Sequence, residues 1–138
     1  MIGLISIMTA AALPRWSASL QKHRLGQAAN RIVADIVRAR TAAYGTSTSK
    51  TITFAVASSQ YTVSGVAPLH RASGTYTVNL TETPYQCTLA SVWGQAGTQT
   101  ITFDGHGLPD KGGSIVVAAG SLQTTIVVDA TTGLAVIQ

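Results

Sequence analysis

The chain has 138 residues, which is enough for one domain but short for two. Only 10% of the residues are charged, against a usual ~25%, whereas small polar residues are abundant, with 19 Thr and 12 Ser. This composition excludes a disordered chain, which needs low hydrophobicity and high net charge, and a coiled coil, which needs many Glu and Lys residues. It is typical of a β-rich domain that works outside the cytoplasm.

The positive charge of the chain lies in its first third. Residues 1–50 contain seven Lys and Arg residues and one acid, Asp35, whereas residues 51–138 contain two basic and four acidic residues. A polyanion such as DNA would therefore have to bind to the first third. Cys87 is the only cysteine, so the sequence contains no internal disulfide, and its apolar surroundings favour a buried structural thiol.

An uncharged, apolar segment of thirteen residues, 1–13, opens the chain and is followed by Pro14. As a helix, its thirteen residues would extend about 20 Å, which is short of a ~30 Å hydrocarbon core. We interpret residues 1–14 as part of a longer membrane or filament-core helix; a weak secretory signal peptide is the alternative, although the basic residues that begin such a signal are missing. The residues expected to contact the membrane or filament core are Ile2, Leu4, Ile5, Ile7, Met8, Leu13 and Pro14.

An amphipathic helix is predicted over residues 15–45, because apolar side chains recur there at steps of three and four. Pro14 is expected to kink the helix where it meets the apolar segment, and Gly45 is expected to end it. The residues expected to pack on a sheet are Leu25, Ile32, Ile36 and Ala39. Arg31 is placed on the opposite face, where its replacement by Ala is expected to change stability by less than about 0.5 kcal/mol.

The hydrophobic period changes to two after residue 46, and Gly, Pro and Ser clusters separate the alternating runs. The predicted strands are Thr51–Val56, Tyr61–Val63, Tyr76–Leu80, Gln86–Ala90, Thr100–Phe103, Ser114–Ala118, Thr124–Val128 and Leu134–Ile137. Residues 46–138 are therefore predicted to form a β-rich globular region. The fold class is α+β, with a long N-terminal α-helix packed on a β-sandwich of about eight short antiparallel strands, and residues 15–138 form one domain.

The sequence contains no motif of a hydrolase nucleophile, a phosphate loop or a dinucleotide site. His106 lies between Asp104 and Asp110, so a surface metal site is one interpretation, but a solvated turn rich in Gly and Asp is favoured. His23 and His70 have no metal-ligand spacing. We therefore expect a protein that is not an enzyme and has no cofactor, metal or small-molecule substrate.

Three stretches together resemble one family of proteins. Residues 10–15 read Ala-Ala-Ala-Leu-Pro-Arg, and residues 30–43 read Asn-Arg-Ile-Val-Ala-Asp-Ile-Val-Arg-Ala-Arg-Thr-Ala-Ala, followed by the strand Thr51–Phe54. Residues 101–107 read Ile-Thr-Phe-Asp-Gly-His-Gly and precede the apolar runs 115–117 and 125–128 and the sequence Thr132-Gly133-Leu134. In order and spacing, these stretches resemble the H-type minor pseudopilins and FimT-like minor pilins of the GspH/FimT family.

The resemblance implies a pilin-like fold and a structural function. It implies an H-type minor pseudopilin of a type II secretion system, or a minor subunit of a type IV pilus-like machine, that helps to initiate or cap a periplasmic filament. Its implied partners are other minor and major pseudopilins or pilins, the inner membrane and the assembly machinery. Its implied location is the inner membrane, which it crosses once, with the globular domain in the periplasm.

One departure from the family concerns the start of the chain. The family's short basic leader and its mature start, Phe-Thr-Leu-x-Glu, do not occur in this sequence. Aligning Pro14 with the family's proline places the mature start about eight residues upstream of Met1. Those residues would lengthen the apolar stretch to about 21 residues, which matches a bilayer span.

Two other functions are compatible with a β-rich domain. The first is a FimT-like minor pilin that binds DNA for uptake, for which the resemblance implies a basic C-terminal stretch; Thr132–Gln138 contains no Arg or Lys, so DNA is not an expected partner. The second is a secreted carbohydrate-binding or adhesive module. In that case a platform for sugar stacking would be built from Trp93, Tyr61, Tyr76 and Tyr85. Aromatic residues make up only 6% of the chain, however, and core packing explains them more simply.

Overall fold

The computed structural model describes the backbone of residues 2–66, 76–82, 85–94 and 98–138, with the side chains from residue 19 onward within those ranges. Within these ranges the elements are one helix, α1 (Ile2–Thr46), and eight strands, β1 (Lys50–Ala55), β2 (Gln60–Val63), β3 (Tyr76–Asn79), β4 (Thr88–Val92), β5 (Thr98–Phe103), β6 (Gly113–Ala119), β7 (Leu122–Val128) and β8 (Ala135–Ile137). The predicted α+β class with eight strands is confirmed, and every predicted strand overlaps an observed one.

The strands form two antiparallel sheets. Sheet A has the order β3-β2-β1-β5, and sheet B has the order β4-β6-β7-β8. Buried and exposed residues alternate along the strands: in β1, Ile52 and Phe54 are fully buried, while Thr51 and Thr53 lie on the other side of the sheet. This alternation is what a sheet with one face on the core and one face toward solvent requires.

Helix α1 contacts strands of both sheets: β6, β7 and β8 of sheet B, and β1 and β5 of sheet A. Its buried apolar residues recur at steps of one, three and four and are Leu25, Ala28, Ala29, Ile32, Ile36, Ala39 and Ala43. The four alanines allow the helix backbone to lie close to the strands, and each fully buried isoleucine contributes roughly 1.5–3 kcal/mol of apolar burial. The four residues predicted to pack on a sheet are therefore all buried in the core.

The C-terminal end of α1 differs from the predicted stop at Gly45. Gly45 is helical, the helix ends at Thr46, and Ser47 adopts the left-handed backbone conformation with φ of 53°. The Thr48 N–H donates to the Ala43 carbonyl at 3.2 Å, and the Ser47 N–H donates to the Tyr44 carbonyl at 3.3 Å. These two bonds form a Schellman motif, which satisfies carbonyls of the last turn without glycine at the left-handed position.

The first part of α1 contains the apolar segment. The helix runs through Pro14, with helical residues on both sides of it. The residues between Ile2 and Pro14 that were predicted to contact the membrane or filament core have side chains that the structure does not describe. Among the residues that the structure describes, no helix is both long and apolar enough to cross a membrane.

Candidate functional site

One acidic side chain interrupts the buried face of α1. Asp35 lies one turn from Ile32 and Ala39 on the helix surface, and only 4% of it is exposed. A carboxylate at this depth is costly unless it is paired and hydrogen-bonded, because burial removes its hydration. The partners of Asp35 therefore decide whether this position stabilises or weakens the contact between the helix and the sheets.

Two tyrosines from sheet A donate hydrogen bonds to Asp35. The Tyr61 hydroxyl lies 2.5 Å from Oδ2, and the Tyr76 hydroxyl lies 2.5 Å from Oδ1. The two rings are neighbours because β2 and β3 pair with Tyr61 opposite Val78 and Val63 opposite Tyr76. Burial and the adjacent carboxylate raise the pKa of both phenols, so both hydroxyls remain protonated at neutral pH. Each carboxylate oxygen thus has its own donor.

Arg31 completes this group, which we call the Asp35 cluster (Arg31, Asp35, Tyr61 and Tyr76). Its Nε donates to Oδ2 of Asp35 at 3.1 Å, and its Nη2 donates to the Tyr76 hydroxyl at 2.7 Å. The guanidinium carbon also lies 5.7 Å from the centroid of the Tyr76 ring. The prediction that Arg31 lies on the face opposite the sheets is therefore wrong: only 26% of its side chain is exposed.

The geometry explains this error. Arg31 and Asp35 are four residues apart, so they lie on neighbouring turns of the helix, and the long arginine side chain reaches sideways to the carboxylate. A second arginine, Arg38, places its guanidinium carbon 5.2 Å from the centroid of the same Tyr76 ring. The signal in the sequence was the single acid among apolar positions, with Arg at i−4. Its two tyrosine partners are 26 and 41 residues away along the chain.

The Asp35 cluster joins the helix to β2 and β3 by polar contacts. It contains no Ser or Cys nucleophile and no histidine, and every polar side chain in it is bonded to another member. Such a closed network can fix how the helix is rotated about its axis and how far it lies from the sheet, because each hydrogen bond has a preferred direction and length. It is therefore suited to holding the helix and the β domain together as one body.

A second polar contact lies near the C-terminal end of α1. Nε of Arg40 donates to the carbonyl of Gly107 at 3.2 Å. Gly107 belongs to a turn that Asp104 holds, since the Asp104 carboxylate accepts the backbone N–H groups of His106 and Leu108. These two bonds lower the pKa of Asp104. The turn borders an open cleft of about 270 Å³ beside Tyr44.

The residues considered for metal binding do not come together in the described part of the chain. There, no group of three or more His, Cys, Asp or Glu side chains could hold a metal ion. Asp104 is bonded to its own turn, while Asp110 accepts the Thr102 N–H of β5 through its carboxylate. His23 is exposed on α1, and His70 lies outside the described residues.

The aromatic residues considered for sugar binding do not form an exposed platform. Tyr61 and Tyr76 are buried in the Asp35 cluster, and Tyr85 packs half-buried against the core. Trp93 packs edge-on against Phe54 and donates its indole N–H to the Thr100 carbonyl at 3.3 Å. The sulfur of the only cysteine, Cys87, lies 3.1 Å from the Tyr85 carbonyl in the same region, and the residue is buried.

Between Gly26 and Tyr44, about five turns, the side of α1 that faces solvent carries no charged residue. The exposed residues at helical spacing are Gly26, Asn30, Ala34, Val37, Thr41 and Tyr44, which we call the uncharged face. Val37 is 46% exposed and Tyr44 is 69% exposed. Solvent-facing sides of helices usually carry charged residues. Here the nearby cations Arg31, Arg38 and Arg40 are all half-buried beside this face.

Comparisons of the chain with protein-family models, with curated proteins and with solved structures found no match.

Proposed function

We propose that the chain is a pilin-like structural subunit, a minor pseudopilin of the H type, which helps to initiate or cap a periplasmic filament of a type II secretion or type IV pilus-like machine. The observation that carries this proposal is the design of α1. One helix joins an uncharged, apolar segment of thirteen residues to a part whose inner face is buried by the β domain. The outer face of that second part is the uncharged face.

The uncharged face supports a contact between helices. Its small residues, Gly26 and Ala34, allow another helix to approach closely, and Val37 and Tyr44 supply apolar area. A charged residue on this face would have to be desolvated when a neighbouring subunit packs there, and none is present. The proposed partners are the helices of other pseudopilin or pilin subunits, placed side by side in a filament.

The Asp35 cluster supports the same function from inside the subunit. A filament subunit that is lifted out of the membrane must transmit force between its helix and its globular domain. The cluster adds directional bonds between α1 and sheet A to the apolar contacts with sheet B. In this proposal the subunit is anchored in the inner membrane, with its β domain in the periplasm, before it joins the filament.

The alternative functions have less support. The β-rich region 51–138 contains only two basic residues against four acids, so it offers few cations that could contact DNA phosphates. Two of the four residues considered for sugar stacking, Tyr61 and Tyr76, are buried and therefore cannot contact a sugar.

The location of the full chain in a bacterial cell tests this proposal. We expect it to sediment with the inner membrane, to be released by detergent but not by high salt, and to be digested by protease added from the periplasmic side. Ile7→Lys should weaken membrane retention, because a cation near the middle of a membrane segment costs about 2.5–3.5 kcal/mol. Ile7→Leu is the matched control and should behave like the wild type. Recovery of the wild-type chain in the soluble fraction without detergent would contradict the proposal.

A further inference from the structure

Strand β8 forms an edge of sheet B, and no strand among the described residues lies on its other side. Its hydrogen bonds to β7 fix which way each backbone group points. The Asp129 N–H donates to the Leu134 carbonyl, Val136 lies opposite Val127, and the Gln138 N–H donates to the Thr125 carbonyl. Residues 134, 136 and 138 therefore direct their backbone groups toward β7, because bonded residues alternate along an antiparallel strand. The N–H and C=O groups of Ala135 and Ile137 point outward.

This edge lacks the protection that two other edges have. A bulge between Leu89 and Ser91 distorts β4. The segment around Pro109 covers part of β5, since Phe103 bridges Pro109 and the Asp110 N–H donates to the Thr102 carbonyl. Strand β8 and the residues beside it, 130–138, contain no charged side chain and no proline. An exposed edge with unpaired backbone groups and no charged side chain is a ready template for another strand.

Apolar side chains accompany these open backbone groups. Leu134 is 52% exposed, Val136 is 60% exposed and Ile137 is 39% exposed. They are three of the six large hydrophobic side chains that the described residues expose. A partner strand would thus gain both main-chain hydrogen bonds and apolar contacts, which is the usual basis of strand addition.

We propose that the partner of β8 is β8 of a second copy of this chain, paired antiparallel about a two-fold axis at Val136. The outward-facing residues, Ala135 and Ile137, lie symmetrically on either side of Val136. When the same strand runs in the opposite direction, Ala135 of one copy faces Ile137 of the other, and each of these two pairs exchanges two N–H···O=C bonds. The result is one continuous eight-stranded sheet built from two copies of sheet B.

The edge is complementary to itself in charge as well as in hydrogen bonding. Residues 130–138 contain no charged side chain, so two copies can meet along this edge without bringing like side-chain charges together. At the axis, Val136 faces Val136 in a non-hydrogen-bonded pair, where side chains on neighbouring strands are closest. This contact is separate from the uncharged face of α1, so it can exist whether or not the proposed function holds.

Disulfide trapping of the purified full chain tests the register. In a Cys87→Ala background, Val136→Cys places two thiols opposite each other, with Cβ atoms roughly 4.5–5.5 Å apart. Leu134→Cys is the matched control: Leu134 directly precedes β8 and is also exposed, but its two copies would be four residues out of register, about 13 Å apart. Under mild oxidation we expect the position-136 variant to form a covalent dimer at least ~10-fold faster than the position-134 variant, because disulfides require close Cβ atoms.

Two further variants test the edge itself. Ala135→Pro removes an N–H that points away from β7, so the ladder between β7 and β8 keeps its bonds, and Ile137→Lys brings a positive charge into the paired edge. Either change, combined with Val136→Cys, should slow dimer trapping to the rate of the Leu134→Cys control while the melting temperature stays near that of the parent. Equal trapping rates at positions 134 and 136, no covalent dimer at either position, or trapping that both edge variants leave unchanged would overturn the proposal.

Discussion

Asp35→Ala is expected to lower the free energy of unfolding by about 3–5 kcal/mol, because it removes the acceptor of three hydrogen bonds and leaves Arg31 without its carboxylate partner. The effect on Tyr61 would be largest, since its hydroxyl is buried and, among the described residues, donates to Asp35 alone. The measurement is urea unfolding of the full chain in mild detergent, with circular dichroism as the signal that monitors unfolding. Glu82→Ala, which removes an exposed acid, is the control and should change stability by less than about 0.5 kcal/mol.

A double-mutant cycle separates the contribution of Arg31 from that of Asp35. Arg31→Ala alone should cost about 1–3 kcal/mol, since it removes one charged donor but leaves both tyrosines on the carboxylate. In the Asp35→Ala background the same change should cost much less, because its main partner is already gone. Additive costs for the two substitutions, or a loss for Asp35→Ala no larger than that for Glu82→Ala, would show that the Asp35 cluster does not stabilise the helix contact.

Ile36→Asp should be at least as damaging. Ile36 is 1% exposed and lies on the face of α1 that packs on the strands, so an aspartate there is buried without a partner and also removes apolar contacts. We expect a loss of about 4 kcal/mol or more, or a chain that does not fold, as seen in the loss of its cooperative thermal transition.

The neighbouring residue provides the matched control. Val37→Asp introduces the same side chain one position along the same helix, but on the uncharged face, where it meets solvent. Its melting temperature should stay within a few degrees of that of the wild type. Similar melting temperatures for the two variants would contradict the placement of the helix on the sheets.

The strands and the buried face of α1 could be predicted because local patterns determine them. Alternation along Thr51–Phe54 and steps of three and four from Leu25 to Ala39 each repeat with the period of one element, so a window of a few residues suffices. The predicted end of the helix, Gly45, lies one residue from the observed end, Thr46. The sequence pointed to Gly45, but the Schellman bonds put Ser47 in the left-handed position, a choice that depends on the chain that follows.

The Asp35 cluster could not be predicted in the same way. A helical wheel assigns Arg31 to a side of the helix, but it ignores the reach of the arginine side chain and the position of Tyr76, which depends on the register between β2 and β3. The sequence favoured core packing for Tyr61 and Tyr76, but it could not show that their hydroxyls meet Asp35, because a one-residue shift in register exchanges the two faces of a strand. The open edge at β8 likewise depends on strand order, which the sequence pattern does not contain.

The most direct test of the account is photo-crosslinking from the uncharged face of α1 in the source cells. A photoreactive phenylalanine analogue at position 37 lies in the middle of that face, and the same analogue at Ser121, in the exposed turn between β6 and β7, is the control. If α1 packs against other subunits, position 37 should give crosslinks to pilin-like proteins in the membrane fraction, and position 121 should give few or none. Absence of crosslinks from position 37 in cells that assemble the filament, or equal crosslinking from both positions, would contradict the proposed role.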